Sequence, residues 1–419
     1  MGRLFLFRTG HLDLIVSMII KDDKIIRVIF TTQPNVTILL ALIGVACQMI
    51  PVNEPHLGPR ELEFVMECLQ TGWISSEGRF IEAFEQTWAE YCGMKYGVAV
   101  SNGTSALQLA VACLDLQPGE EVILPTFTII SCAQAIIYNG GTPVLVDCDP
   151  RTWCMDIGQV EAKITSRTRA IMPVHIYGHP VDMEPLWDIA RRHNLIIIED
   201  AAEAHGAEYK GARCGSLGDI SCFSFYANKI VTTGEGGMVL TNLESYANRV
   251  KSLRNLCFLK ERRFYHTDLG FNFRMTNIQA ALGLAQVEAI EAAIQHKRWM
   301  GQEYTRRLNP FHELQLPVEE AWAKNVFWMY GIVLKEETGI TAMDFAKRLA
   351  EGGIATRPFF LGMHEQPVFH KRGLFVNEHY PIAERLARQG LYLPSGLSLT
   401  MAQLEEVCHV VGKELNGRQ

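Results

Sequence analysis

The sequence predicts an α/β protein whose large domain has a seven-stranded, mostly parallel sheet and is followed by a smaller C-terminal α/β domain. Over residues 50–300, short apolar runs alternate with longer segments of helical periodicity, which is typical of consecutive βαβ units. No internal repeat or flexible linker interrupts these residues, and the pattern changes after about residue 300. The chain has 419 residues, enough for two or three folding units of about 150 residues each.

The seven predicted strands are short apolar runs bounded by turn-forming residues. They cover residues 97–101, 121–124, 143–146, 170–174, 195–198, 220–224 and 237–241. Amphipathic segments predict helices, which cover residues 104–114, 183–193 and 278–293. In the smaller domain, a strand over 327–334 precedes a helix over 341–351 that begins at a threonine cap. We therefore expect a large domain over residues 49–300 and a small domain over 301–419.

The composition excludes several classes of protein. Hydrophobic residues make up 48% of the chain and charged residues 20%, so the chain is not disordered or of low complexity. The net charge of −7 offers no basic surface for nucleic acid or for an anionic membrane. Eleven cysteines, spread from Cys47 to Cys408 without any C-x-x-C pair, predict reduced thiols in a cytoplasmic enzyme rather than disulfides or a metal site.

The first 48 residues do not share the pattern of the rest. An uncharged run extends from Val28 to Asn53, but its unbroken apolar part is only residues 38–47. Ten residues are too few to cross about 30 Å of hydrocarbon as a helix, and acidic residues upstream do not fit a signal peptide. We expect no membrane attachment. We expect residues 1–48 to be an atypical extension, either a poorly packed appendage or the product of an upstream start, with Met49 as the native first residue.

A cluster of acidic residues follows the predicted strand 195–198. Glu199 and Asp200 come directly after it, and Glu203 and His205 stand close behind. Open α/β sheets bind ligands at the carboxyl ends of their strands. One carboxylate could be a helix cap, but capping does not explain the whole cluster. The pattern therefore favours a ligand site over a structural role.

Lys229 follows the predicted strand 220–224 and precedes a glycine-rich turn. No other charged residue stands within five positions of it on either side. A lysine in apolar surroundings has a lowered pKa and becomes a usable nucleophile or base. The alternative, an exposed lysine that buries only its stem, stays open at this point.

The segment Ser101-Asn102-Gly103-Thr104-Ser105 joins a predicted strand to a predicted helix. Free N–H groups and the positive end of the helix dipole would form an anion site there, although an ordinary helix cap explains the same residues. Neither G-x-G-x-x-G nor G-x-x-x-x-G-K-[ST] occurs in the chain. An anion cradle, a strand-end aspartate and a desolvated lysine together are what pyridoxal phosphate requires.

The chain resembles the DegT/DnrJ/EryC1/StrS family of sugar aminotransferases, from about residue 50 to its C-terminal region. The likeness rests on six segments, which are 101–105, 125–128, 199–202, 224–229, 234–237 and 270–279. It implies the fold-type-I architecture of pyridoxal-phosphate enzymes, and amino transfer from L-glutamate to a nucleotide-linked 4-keto-6-deoxy sugar. Segments 149–154, 263–266 and 356–360, with 125–128, are most similar to the members that make GDP-perosamine from GDP-4-keto-6-deoxymannose.

The resemblance also implies roles for the acidic cluster and the lysine. Lys229 corresponds to the lysine that binds the cofactor covalently and shuttles protons. Asp200 corresponds to the partner of the protonated pyridine nitrogen. Glu203 stands where many relatives have a glutamine beside the phenolic oxygen of the cofactor, although the perosamine-forming members are similar in having the acid.

The remaining implied contacts surround the phosphate and the ring of the cofactor. Thr104, Ser105 and Ser224 correspond to phosphate ligands, and Phe127 to the wall against the ring. Asn272 belongs to a segment similar to one that reaches the phosphate of a neighbouring subunit. The resemblance therefore implies a homodimer with shared active sites.

Three other functions remain as alternatives. One is amination of another nucleotide sugar, at C3 or C4. Another is a pyridoxal-phosphate-dependent sugar dehydratase, in which relatives can replace the lysine with histidine, so Lys229 favours transfer. The third, a non-catalytic sensor of sugar nucleotides, does not explain an intact lysine, aspartate and anion cradle. Five further polar residues could line a sugar pocket or equally be satisfied in the core, namely His175, Tyr177, His205, Arg357 and His364.

Overall fold

The computed structural model describes the backbone of residues 2–9, 12–21 and 24–30, and residues 49–259, 261–262 and 264–416. The chain divides into two compact units, Met1–Gln48 and Met49–Gln419. The apolar run 38–47, which includes Cys47, lies outside the described residues, and so does Arg263 of the segment 263–266. No helix among the residues described is long and apolar enough to span a bilayer.

The first unit contains a three-stranded antiparallel sheet. Its strands are Gly2–Thr9 (β1), Leu12–Lys21 (β2) and Lys24–Phe30 (β3), in the order β1-β2-β3. Gly2 is paired with Ile19 and Thr9 with Leu12, so β1 is paired with β2 along its whole length.

The second unit contains fourteen strands among its described residues. In chain order they are Tyr96–Val100 (β4), Glu121–Pro125 (β5), Thr142–Val146 (β6), Thr168–Ile171 (β7), Ile196–Asp200 (β8), Glu208–Tyr209 (β9), Ala212–Arg213 (β10), Ile220–Ser224 (β11), Gly237–Thr241 (β12), Leu314–Gln315 (β13), Ala323–Lys324 (β14), Tyr330–Leu334 (β15), Arg357–Pro358 (β16) and Gly390–Leu393 (β17).

All seven predicted strands of the large domain lie in one sheet, in the order β4-β12-β11-β8-β7-β5-β6. Neighbours from β11 to β6 are parallel, whereas β12 runs antiparallel to both β11 and β4. The strands are almost wholly buried, as parallel sheets with covered faces are. The predicted α/β class with a seven-stranded, mostly parallel sheet is therefore confirmed.

The helices of the second unit, among its described residues, are Pro59–Thr71 (α1), Arg79–Cys92 (α2), Gly103–Ala112 (α3), Ser131–Tyr138 (α4), Ile157–Val160 (α5), Met183–His193 (α6), Glu244–Arg254 (α7), Asn277–Glu288 (α8), Ile290–Leu308 (α9), Ala342–Glu351 (α10), Pro367–His370 (α11), Pro381–Gln389 (α12) and Met401–Asn416 (α13). The predicted helix 183–193 has the same bounds as α6. The predicted helix 278–293 is instead two helices, α8 and α9, because the helix is interrupted at Ala289.

Two strand boundaries differ from prediction in ways that affect the site. β8 extends two residues beyond the predicted 195–198, so Glu199 and Asp200 lie within the strand and point to opposite faces of the sheet. β15 begins at Tyr330 rather than residue 327. Phe327 has a φ of +47°, which a strand residue cannot adopt.

A second apolar core lies towards the C-terminus. It is built around a four-stranded sheet of order β13-β15-β17-β16 and includes Tyr304, Phe345 and Leu404. Helix α9 belongs to both cores, since Ile294 packs in the first and Met300 in the second. The division into domains 49–300 and 301–419 stays a prediction.

The cysteines of the second unit are all reduced. Ten are described, and none of these ten forms a disulfide. Most are buried, which is usual for structural thiols.

Candidate active site

Lys229 lies in the loop that follows β11, and its amine is almost enclosed. Its Nζ is 3.5 Å from the centroid of the Trp328 ring and 4.0 Å from Oε1 of Glu203. Burial lowers the pKa of Lys229, while the carboxylates of Glu203 and Asp200 act in the opposite direction. The amine is therefore poised to exchange a proton rather than to stay a permanently solvated cation.

Asp200 ends β8 and is 2% exposed. Its Oδ1 accepts a hydrogen bond from the N–H of Ala202 at 3.0 Å, and its Oδ2 accepts one from the Cys132 thiol at 3.1 Å. Burial raises the pKa of Asp200, and these two hydrogen bonds and the positive charge of Lys229 oppose the rise. The carboxylate is thus held in one orientation. Sequence reasoning missed Cys132, because no motif links position 132 to position 200.

Glu203 faces the same amine from the turn after β8. Its Oε2 accepts a hydrogen bond of 2.7 Å from the backbone N–H of Tyr177. Burial raises the pKa of Glu203 to about 7, although Lys229 acts against the rise. Glu203 and Lys229 form a buried acid–base pair that can hold or release a proton near neutral pH.

The turn between β4 and α3 approaches the end of β11 very closely. A Cβ added to Gly103 would lie 2.7 Å from the Cβ of Ser224, so a larger residue would push the two segments apart. Asn102 caps α3, and its Oδ1 accepts the Ser105 N–H at 2.8 Å. Within the described residues, no hydrogen bond engages the N–H groups of Gly103 or Thr104. This helix end therefore offers free donors beside a serine hydroxyl.

Two hydroxyl groups in this turn already have partners. Oγ1 of Thr104 is 2.8 Å from Oγ of Ser131, and Oγ of Ser105 is 3.0 Å from Oγ of Ser101. A hydroxyl can accept from one partner and donate to another, so both keep the capacity to bind an anion.

The amine, the carboxylate and the hydrogen-bond donors of this arrangement fit pyridoxal phosphate. A buried amine without a hydrogen bond among the described residues, a buried carboxylate and a helix end with free N–H groups all converge on the carboxyl edge of the sheet. Phe127 is buried there too, with its ring centroid 6.0 Å from that of Phe360. Asn272 is exposed and is paired with Asn255 in an isolated bridge.

Glu199, on the other face of β8, is engaged in a separate network. It accepts hydrogen bonds from the Leu217 N–H at 2.8 Å and the Ser221 hydroxyl at 2.7 Å, and its Oε1 lies 3.0 Å from Nε2 of His175. Nδ1 of His175 accepts the Val181 N–H, so Nε2 carries the proton and donates it. Cys214 is close enough to complete a metal-binding trio, but hydrogen bonds already occupy the ligand atoms of His175 and Glu199. Glu199 is a structural carboxylate.

Two of the other polar candidates, His364 and Arg357, have partners away from the amine, whereas the ring of Tyr177 stacks with the Trp328 ring beside it. His364 connects Thr126, at 2.8 Å, to Glu384, at 3.3 Å, and is buried. Arg357 is exposed and donates to the carbonyl of its own neighbour, Thr356. Tyr177 contacts the site through its backbone N–H.

His205 is a core residue rather than a pocket residue. It packs against the rings of Trp88, Phe223 and Phe225, and its Nδ1 accepts the Val231 N–H at 3.1 Å. Burial lowers its pKa to about 3. The imidazole therefore stays neutral in the folded protein at every pH at which the chain is expected to work.

We expect His205→Asn to destabilise the protein at pH 7 and to make its stability less sensitive to acid. Between pH 6.5 and 3, the unfolded chain binds a proton at His205 that the folded chain does not. The free energy of unfolding of the parent therefore decreases as the pH is lowered. From pH 7 to pH 5 this amounts to about 2 kcal/mol in the free energy of unfolding. Urea unfolding at both pH values measures it. The exposed His312→Asn serves as control, and an equal pH response in the parent and His205→Asn would contradict the assignment.

Comparison with known proteins places this chain in a family. The model of the DegT/DnrJ/EryC1/StrS aminotransferase family matches residues 55–412. The GDP-perosamine synthase of Caulobacter vibrioides is 45% identical over 362 residues, which cover 85% of this chain and 96% of that protein. The enzyme of the same name from Escherichia coli O157:H7 is 42% identical, over 87% of this chain and 98% of that one. The crystal structure of the aminotransferase TlmJ from Streptoalloteichus hindustanus superposes with a TM-score of 0.82 at 29% identity, covering 88% of this chain and 99% of that chain.

Proposed function

This chain belongs to the DegT/DnrJ/EryC1/StrS aminotransferase family and is a pyridoxal-phosphate-dependent aminotransferase, and on that premise we propose that it aminates C4 of GDP-4-keto-6-deoxymannose. Glutamate is the amino donor, and GDP-perosamine and 2-oxoglutarate are the products. The observation that carries the proposal is the buried Lys229 amine beside the carboxylates of Glu203 and Asp200. The names of the two most similar relatives described above support the choice of sugar.

The residues around Lys229 hold the cofactor in this proposal. Bound pyridoxal phosphate would supply an electron-accepting ring that stabilises negative charge on the substrate carbon that carries the amino nitrogen. Asp200 keeps the ring nitrogen protonated, because its carboxylate is buried and fixed by two donors. Phe127 packs against the ring. Thr104, Ser105 and Ser224 bind the phosphate, together with the free N–H groups at the start of α3.

Lys229 carries out the proton transfers. Its amine would hold the cofactor covalently, and when the amine is free its Nζ would accept a proton from one substrate carbon and return it to another position. Such a group must be neutral for one step and protonated for the next, so its pKa must lie near the working pH. Burial lowers the pKa of Lys229 in that direction, and Glu203 at 4.0 Å keeps a proton within reach.

The enzyme is a homodimer in this proposal, with each site completed by the neighbouring subunit. Helix α1 exposes Leu62, Met66 and Leu69, which lie on one face of the helix, and Trp73 follows beyond its end. A stripe of this kind is typical of a surface covered by a protein partner. Asn272 is exposed in the single chain, which suits a residue that reaches the phosphate of the partner's site.

Mixing two inactive variants tests the shared site. Lys229→Ala and Asn272→Ala are each expected to be inactive alone, and unfolding and refolding them together gives mixed dimers. Each mixed dimer has one site with both changes and one site with neither, so about a quarter of the parent activity returns at random pairing. Activity after co-refolding measures this, with separately refolded variants as the control. If no activity returns although mixed dimers form, Lys229 and Asn272 do not serve the same site across the interface.

A panel of nucleotide keto-sugars tests the substrate. The purified protein should be yellow, lose its colour with glutamate, and regain it only with the correct keto-sugar. The product mass distinguishes amination from the dehydratase alternative, because the sugar gains nitrogen in the first reaction and loses water without keeping nitrogen in the second. Colour that persists in excess glutamate would contradict a glutamate-dependent transaminase. The reduced cysteines of the described chain favour a reducing compartment, and we place the reaction in the cytoplasm.

A further inference from the structure

A second buried lysine lies outside the residues that hold the cofactor. Lys297, on helix α9, is 1% exposed, and its Nζ donates hydrogen bonds to the backbone carbonyls of Trp328, at 2.9 Å, and of Ser395. No carboxylate pairs with it among the described residues. Burial lowers the pKa of Lys297 to about 7. A lysine is rarely this deeply buried without a partner of opposite charge, so the two carbonyls are what hold it there.

The backbone that carries Trp328 needs such support. Phe327, the preceding residue, has a φ of +47°, a strained conformation for a bulky side chain. A Cβ added to Gly178 would lie 2.9 Å from the Trp328 backbone nitrogen, so this turn and the 177–178 turn approach each other closely. Lys297 holds the same residue by its hydrogen bond to the Trp328 carbonyl.

The indole of Trp328 reaches directly into the active site. Its Nε1–H donates to the carbonyl of Asn228 at 2.8 Å, and its ring lies 3.5 Å from Nζ of Lys229. An aromatic face attracts the protonated form of an amine, most strongly where water is excluded. The ring therefore acts with the carboxylates of Glu203 and Asp200, and against burial, on the protonation of Lys229.

We propose that Trp328 is a further active-site residue, whose ring covers the amine of Lys229, and that Lys297 is the residue that positions it. Lys297 acts through the main-chain carbonyl of Trp328 and does not touch the reacting atoms. The proposal rests on the role given to Lys229 above. Its consequence is that a side chain on helix α9 influences proton transfer at the end of β11.

The test measures the protonation of the nitrogen that joins Lys229 to the bound cofactor, by titrating the visible absorption of the holoenzyme with pH. Trp328→Leu keeps the site apolar but removes the ring, and Lys297→Met removes the amine together with its two hydrogen bonds. Both are expected to lower the pKa of the chromophore, by about 0.5 to 1 unit, because the protonated form loses the aromatic face. Both are also expected to lower kcat several-fold.

Tyr304→Phe is the matched control. Tyr304 lies on the same helix, is buried, and donates a hydrogen bond of 2.9 Å to Pro394, the residue before Ser395. Removing its hydroxyl should lower the melting temperature as Lys297→Met does, but leave the titration unchanged. Lys297→Gln keeps an N–H donor and should shift the pKa less than Lys297→Met does.

The double variant of Lys297→Met and Trp328→Leu separates positioning from independent effects. If Lys297 acts through Trp328, the double variant titrates like Trp328→Leu alone. A sum of the two single shifts would overturn the proposal, and so would a Lys297→Met protein that loses thermal stability but keeps the parental titration. If Lys297→Met does not fold, Lys297→Gln takes its place in the cycle. Failure of the underlying function looks different, because Lys229→Ala would then keep parental turnover.

Discussion

Replacement of Lys229 by alanine is expected to abolish amino transfer while the protein still folds. The variant loses both the covalent attachment of the cofactor and the group that moves the proton, so kcat should fall by about four orders of magnitude. Lys229 makes no hydrogen bond that another described side chain depends on, and its close contacts are the Trp328 ring and Glu203. Steady-state release of 2-oxoglutarate from glutamate and the keto-sugar measures the loss.

Lys324→Ala provides the control for the Lys229 variant. Lys324 forms a partly exposed ion pair of 2.7 Å with Glu208, at a sheet edge that carries none of the proposed site residues. Its removal should leave kcat unchanged. Circular dichroism and a melting temperature within a few degrees of the parent show that both variants are folded. A Lys229→Ala protein with parental turnover would refute the assignment.

Asp200→Asn is expected to have the second largest effect, a fall in kcat of about three orders of magnitude. The reason is that the proton transfers depend on a pyridine ring whose nitrogen is protonated. The amide has nearly the volume of the carboxylate, but it carries no negative charge to keep a proton on the ring nitrogen. The amide oxygen of the variant can still accept the Ala202 N–H, and its NH2 group then faces the Cys132 sulfur, which is a weak acceptor.

The half-reaction with glutamate measures the effect of Asp200→Asn, because the visible band of the bound cofactor disappears as the reaction proceeds. Cofactor content after gel filtration separates weak binding from slow chemistry. Asp156→Asn is the control, since Asp156 caps the short helix α5 away from the lysine. A variant with lower cofactor content but a normal rate per bound cofactor would mean that Asp200 only anchors the ring.

The central sheet could be predicted from sequence because each of its strands is a short apolar run between turns. An unbroken apolar run reflects burial of a strand on both faces, and it can be recognised from a few consecutive residues. The predicted strand boundaries are wrong where the backbone conformation differs from the one that the hydrophobic pattern indicates. Residues 327–329 have the composition of a strand, but the left-handed conformation of Phe327 turns the chain and presents Trp328 to the amine.

The residues that surround the amine could be predicted only where they belong to a motif within one continuous segment of the chain. Asp200 is the last residue of β8 and Lys229 lies in the loop after β11, so their position at the edge of the sheet follows from the topology. Cys132, Trp328 and Lys297 come from distant elements, and their contacts depend on packing that no spacing in the chain records.

The position of β12 in the sheet has a consequence for the synthesis of this protein. Val100 at the end of β4 is paired with Gly237 of β12, which lies 137 positions later in the chain. The ribosome needs about 7 to 27 s to make that length at ordinary rates. Until then β4 has no neighbour, and the turn at Gly103 cannot meet Ser224. A nascent chain released before residue 241 will expose an apolar strand edge to chaperones and aggregation, and will not capture the cofactor.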